Sequence, residues 1–136
     1  MRLHPESVLT LILAATFMIL SCSPEKPIRV LAFSKTEAFR HESIEAGIAA
    51  LRKMAEERGF EISFTEDAAQ FNTASLRQFN AVVFLNTSGD VLDAGQQDAF
   101  ERYIQAGGGY VGIHLAAGTE YDWPWYGRLV GARFLG

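Results

Sequence analysis

His114 closes a segment that opens on Gly107-Gly108-Gly109 and continues as the apolar Tyr110-Val111-Gly112-Ile113. An imidazole at the carboxyl end of a buried strand stands where open α/β sheets bind their ligands. Strand-to-helix elbows of this kind carry catalytic nucleophiles in other folds. An imidazole at that position suits proton transfer or metal ligation near neutral pH rather than acyl transfer. The chain has three histidines. His4 lies in an apolar leader, while His41 and His114 each follow a segment that reads as a central strand. His114 and His41 are therefore the candidate catalytic residues. The structural alternatives are a strand-end histidine bonded to backbone for His114 and an exposed loop pair for Arg40 and His41. We expect His114 to be mostly buried, with one ring nitrogen held by a neighbour and the other facing a cavity.

Further polar groups fall in the same loops. Arg40 offers a planar fork of donors for an anion or a sugar. Asn86, Thr87 and Ser88 supply small hydrogen-bonding groups, or else a turn that leads into the next helix. Glu120 and Asp122 are the carboxylates nearest His114 in sequence, placed to orient the imidazole, to act as acid or base, or to join a metal site. Tyr121 and Trp123, with Trp125 and Tyr126 close behind, offer aromatic faces to the C–H patches of a sugar, although core packing is the expected role of Trp125. The candidate substrate-binding set is thus Arg40, Asn86, Thr87, Ser88, Glu120, Tyr121, Asp122 and Trp123. Two histidines and a carboxylate would suit Zn²⁺ or another divalent ion. No H-x-x-x-H or C-x-x-C spacing accompanies them, so the sequence assigns no metal and leaves the cofactor open. A G-x-x-x-x-G-K-[ST] loop and a G-x-G-x-x-G after the first strand are both missing, which removes support for nucleotide triphosphate or NAD.

The elements that must position these residues follow from periodicity. Ile28 to Phe33, Ala81 to Leu85 and Tyr110 to Ile113 are near-continuous apolar runs, as strands buried on both faces of a parallel sheet require. They are expected to be parallel neighbours at the centre of one sheet. Phe60, Ile62 and Phe64 alternate with polar residues and read as a half-buried edge strand. Ile44, Ile48, Leu51 and Ala55 mark one face of a helix, with Ser43 as its expected N-cap and Gly59 as its stop. Asp93 and Gln96 have the spacing of a capping box, followed by a helix that buries Ala99, Phe100, Tyr103 and Ile104. Gly107 to Gly109 are read as turn and close-packing glycines rather than as reacting groups. Strands that alternate with helices imply an α/β fold: a three-layer αβα sandwich around a central parallel sheet, flavodoxin-like in outline.

Three blocks carry a family resemblance: Phe39-Arg40-His41-Glu42-Ser43-Ile44, the run from Val82 to Leu92, and the run from Gly107 through His114 to Trp123, continued by Trp125-Tyr126 and Leu129 to Phe134. They resemble the ThuA-like (trehalose utilisation) family of the class I glutamine amidotransferase-like superfamily, with histidine where the amidotransferases have cysteine. The resemblance implies a role in carbohydrate utilisation and a sugar or keto-sugar ligand. It further implies proton transfer near a carbonyl, with His114 as acid or base and His41 assisting. A non-catalytic carbohydrate-binding module and a metal-dependent hydrolase are the alternative readings. A complete domain of that family runs on for several more elements, so residues 28–136 are read as its N-terminal part.

The remaining sequence speaks to location. Val8 to Leu20 is apolar apart from two threonines, shorter than the roughly 20 residues of a membrane span and of signal-peptide length. It ends in Ile19-Leu20-Ser21-Cys22, which resembles a bacterial lipobox, and Cys22 is the only cysteine in the chain. Residues 1–21 are read as a lipoprotein signal peptide, Cys22 as the lipidation site and residues 22–27 as a tether. The expected product is an exported lipoprotein held to the membrane by its acyl chains, in the outer membrane if the organism has one. With 12 basic and 16 acidic residues, a net charge of −4 and no Lys/Arg run, the chain has no footprint for nucleic acid.

Overall fold

The computed structural model describes residues 26–133. Strands and helices alternate along them: β1 (Arg29–Phe33), α1 (Ser43–Arg58), β2 (Glu61–Thr65), a 3-10 turn (Ala68–Gln70), α2 (Thr73–Leu76), β3 (Ala81–Leu85), α3 (Ala94–Gln105), β4 (Gly109–Ile113), a second 3-10 turn (His114–Gly118) and α4 (Pro124–Val130). The four strands form one sheet in the order β2-β1-β3-β4. Every pairing is parallel, with Leu31 opposite Val82 and Val82 opposite Tyr110. The chain leaves β1 towards one side of the sheet and β3 towards the other, so a topological switch point lies between their carboxyl ends, where such sheets hold ligands.

The pleat separates two cores. Leu31, Phe33, Val82 and Phe84 point to one face and join Phe71, Leu76, Phe100 and Tyr126, all buried. The rings interlock, with Phe33 and Phe71 centroids 4.6 Å apart and Phe84 stacked on Phe100 at 5.4 Å. Each such aromatic or aliphatic side chain contributes about 1.5–3 kcal/mol on burial. Ala32, Val83 and Leu85 point to the opposite face, against α1, whose Ile44 and Ala55 are buried. Gly47 permits that contact, since a Cβ on it would lie 2.7 Å from Leu85 Cδ1. Helices thus cover both faces, and the αβα layering expected from the sequence is the observed fold.

Two local expectations hold and two are corrected. Asp93 and Gln96 do form a reciprocal capping box at the start of α3, and Gly59 does end α1 in the left-handed region at φ 73°. Ser43 is not the N-cap. Glu42 holds that position without a side-chain cap, and Ser43 Oγ instead accepts a hydrogen bond from Asn86 Nδ2 at 3.0 Å. Finally, β4 is an edge strand among the described residues rather than a central one, and Val111, on the same sheet face as Val83, is 48% exposed.

Candidate functional site

The carboxyl ends of β1, β3 and β4 extend into loops that stay in register beyond the strands. Isolated parallel bridges join Thr36 to Ser88 and Gly89 to Thr119. Hydroxyls and amides lock the same edge: Thr87 Oγ1 lies 2.8 Å from Thr119 Oγ1, and Ser88 Oγ donates to the Phe39 carbonyl at 2.7 Å. Asn86, Thr87 and Ser88 are all buried. The structure places these predicted ligand contacts inside the loop scaffold, where they fix the segment that carries His41. Asn86 Oδ1 is the exception, buried without a hydrogen-bond partner among the described residues.

His114 sits at φ 52°, in the left-handed region. Histidine tolerates that region better than most residues, yet it remains an uncommon backbone state found at functional turns. The turn beneath it is held from the core. Tyr126 Oη donates to the Ala116 carbonyl at 2.9 Å, and the Tyr110 and Tyr126 hydroxyls are 2.7 Å apart. Burial pushes the Tyr110 phenol up to about 12 and raises that of Tyr126 further, so both are neutral donors. Gly112 makes room for this pair, because a Cβ there would meet Tyr110 Oη at 2.6 Å.

The two histidines meet. His114 Nε2 and His41 Nε2 are 3.2 Å apart, with ring centroids 4.6 Å apart and planes inclined at 55°. The Phe39 ring stands edge-on to His41 at 4.8 Å. A cavity of about 360 Å³ opens beside them, lined by Phe39, His41, His114, Leu115 and Ala117. His114 is exposed rather than mostly buried, because β4 lies at the sheet edge and its outer side is uncovered among the described residues. Its ring is nevertheless held by a neighbour, and that neighbour is the other candidate.

The remaining candidates are occupied elsewhere. Arg40 spends its guanidinium on Glu66 at 2.7 Å and Glu45 at 3.1 Å, and its hydrogen bond to Glu66 raises its pKa. Glu120 does not orient His114. It is buried at φ 54°, and its Oε1 accepts the backbone N–H of Val91 and of Leu92, each at 2.8 Å, while Oε2 accepts Gln97 Nε2 at 2.7 Å. Burial raises its pKa, against those hydrogen bonds. Tyr121 and Asp122 are exposed, and Trp123 stacks on Trp125 at 4.9 Å, with Trp125 packed against the core as expected. Arg133 ties this turn, donating to the carbonyls of Tyr121 at 2.7 Å and Trp123 at 3.2 Å and lying 5.3 Å over the Tyr121 ring.

Sequence reasoning missed Phe39, Leu115, Gln97 and Arg133. None has a chemical signature in sequence, since two are apolar walls and two act through backbone or carboxylate partners brought in by folding. Among the described residues no three of His, Cys, Asp and Glu converge as a metal site, so a metal here would have the two imidazole nitrogens as its protein ligands.

The ThuA (trehalose utilisation) family profile matches residues 29–136. The chain belongs to the ThuA family. In a solved structure, a ThuA-like protein from Bacteroides uniformis ATCC 8492 is 28% identical and superposes with a TM-score of 0.64, over 82% of this chain and 47% of that one. The chain thus spans about half the length of that relative. No curated protein matches it. The elbow histidine, the partner histidine and the aromatic turn accordingly belong to a ThuA-family sheet edge.

Proposed function

We propose that this ThuA-family chain binds a sugar or keto-sugar derivative at the His41–His114 crevice and moves a proton beside its carbonyl. The carrying observation is the 3.2 Å approach of the two Nε2 atoms at the mouth of a cavity walled by Phe39, Leu115 and Ala117. Two neutral imidazoles at that distance need complementary tautomers, one Nε2 bearing hydrogen and the other a lone pair. A base and an acid therefore stand side by side. The base takes a proton from the carbon next to a carbonyl while the acid protonates the carbonyl oxygen, giving an enediol. The apolar walls match the C–H face of a pyranose.

The test is a melting-temperature screen of the purified chain against keto-sugars and disaccharides, with deuterium exchange at the carbon next to the carbonyl followed by NMR. A ligand that binds the native state alone raises the melting temperature. His114→Gln should abolish exchange and leave most of the thermal shift. A thermal shift with no exchange in the wild type would instead identify a carbohydrate-binding module, the reading favoured if the exposed crevice serves recognition alone. Cys22 lies outside the described residues. Its lipobox-like context supports an exported, lipid-anchored protein with the membrane as a second partner.

A further inference from the structure

We infer that the amino end of the sheet, opposite the histidine pair, carries a docking site for the phosphate of an anionic phospholipid headgroup. Lys26, Arg29 and Arg77 line one cavity of about 460 Å³ there, with Glu61, Phe79 and Asn80 among its other walls. Three cations and one carboxylate give that lining a net charge of +2, on a chain whose net charge is −4. Folding makes the cluster. β1 opens at Arg29, β2 at Glu61 and β3 just after Asn80, so the parallel sheet collects at one end residues that are far apart in sequence. An ammonium and two guanidinium forks are the side chains that hold a phosphate by charge-assisted hydrogen bonds.

The cluster is held in place. Asn80 Oδ1 accepts the Arg29 backbone N–H at 2.8 Å, and the Asn80 N–H donates to the Arg29 carbonyl at 2.7 Å. These two bonds fix the loop that carries Arg77 against the start of β1. The Arg29 guanidinium lies 5.4 Å over the Phe79 ring and pairs with Glu61 at 3.2 Å. Lys26 and Arg77 are exposed, and neither side chain has an ion-pair or hydrogen-bond partner among the described residues. The occupant follows from what precedes the site. Lys26 is four residues from Cys22, and four extended residues span at most about 14 Å. If Cys22 carries acyl chains, headgroups lie within that reach. Ile28, between Lys26 and Arg29, is 59% exposed, an apolar side chain beside cations, as an interfacial surface requires. The choice of a lipid rests on the anchor reading, and none of it rests on the histidine crevice.

The experiment uses the full chain carrying Cys22→Ala, so that no acyl chain contributes. Co-sedimentation compares its binding to vesicles of phosphatidylcholine alone and of phosphatidylcholine with phosphatidylglycerol. Each Lys or Arg near an anionic surface contributes about fivefold. Vesicles with phosphatidylglycerol should therefore bind roughly tenfold or more tightly, and the preference should fade with added salt. Adding Arg77→Gln should remove about fivefold of it, and Lys26→Gln with Arg77→Gln roughly tenfold or more, with unchanged circular dichroism. A chain without the preference, or a folded double variant that keeps it in full, overturns the site. A rise in melting temperature with inorganic phosphate, without any vesicle preference, overturns the lipid and leaves a site for free phosphate. A preference shown by Cys22→Ala, while wild type from the native host is found wholly in the aqueous phase, supports the site and removes the anchor.

Discussion

At the scale of single residues, Glu120 shows how position overrides apparent role. It looks like a catalytic carboxylate beside His114, but folding buries it against two backbone amides and Gln97. Removing it as Glu120→Ala leaves those buried amides unpaired and should cost about 2–4 kcal/mol, read by urea denaturation. Its titration gives a second expectation. Burial holds the native pKa above the ordinary carboxylate value, so the folded chain binds a proton more tightly than the unfolded one. The resulting stabilisation is full below the unfolded pKa and is lost as pH rises through the raised native value. Wild type should therefore gain stability relative to Glu120→Gln as pH falls from neutrality into that window. A difference in melting temperature between them that is flat from pH 7 to pH 4 would contradict this. Arg40 teaches the same lesson, since its charge was visible in sequence while Glu66 and Glu45, which take it up, were not assignable as its partners.

At the scale of elements, the precision of the crevice depends on how closely α1 sits on β3. Gly47 sets that distance, because even a Cβ would press on Leu85. Gly47→Val should push α1 outward and carry the preceding His41 loop with it. We expect a loss of about 1–3 kcal/mol, the usual cost of overpacking, and a weaker ligand response than stability alone predicts, checked by comparing the keto-sugar thermal shift with urea denaturation. Tyr126→Phe acts on the other wall. It removes the hydrogen bond to Ala116 and should cost about 1–2 kcal/mol, measured in the same way. β1, β3 and the capping box of α3 were legible because each is written locally, as a continuous apolar run or as a fixed four-residue spacing. The 3.2 Å meeting of His41 and His114 was legible only as a shared sheet edge, since the parallel topology brings both loops to that edge while distance depends on Ser88, Phe39 and the turn at φ 52°. The exposure of His114 was not legible at all, because periodicity marks β4 as apolar without saying what covers its outer side.

At the scale of the molecule, the parallel sheet gives the chain two unlike ends. All four strands start at one end, and the His41–His114 pair lies at the other. A five-residue strand separates the ends by about 17 Å. The proposed tether, residues 22–27, leads directly into β1 at Arg29 and therefore joins the amino end. Extended, it reaches only about 20 Å. If Cys22 carries acyl chains, the amino end is held near the bilayer and the crevice opens away from it, accessible to solutes. Wild-type protein from the native host should then partition into detergent, and Cys22→Ala should be recovered in the aqueous phase. The orientation makes a separate claim: the keto-sugar response of wild type reconstituted in vesicles should match that of Cys22→Ala in solution. Wild type found wholly in the aqueous phase would remove the anchor. A response lost on vesicles but kept by Cys22→Ala would retain the anchor and reverse the orientation, placing the histidine pair against the membrane.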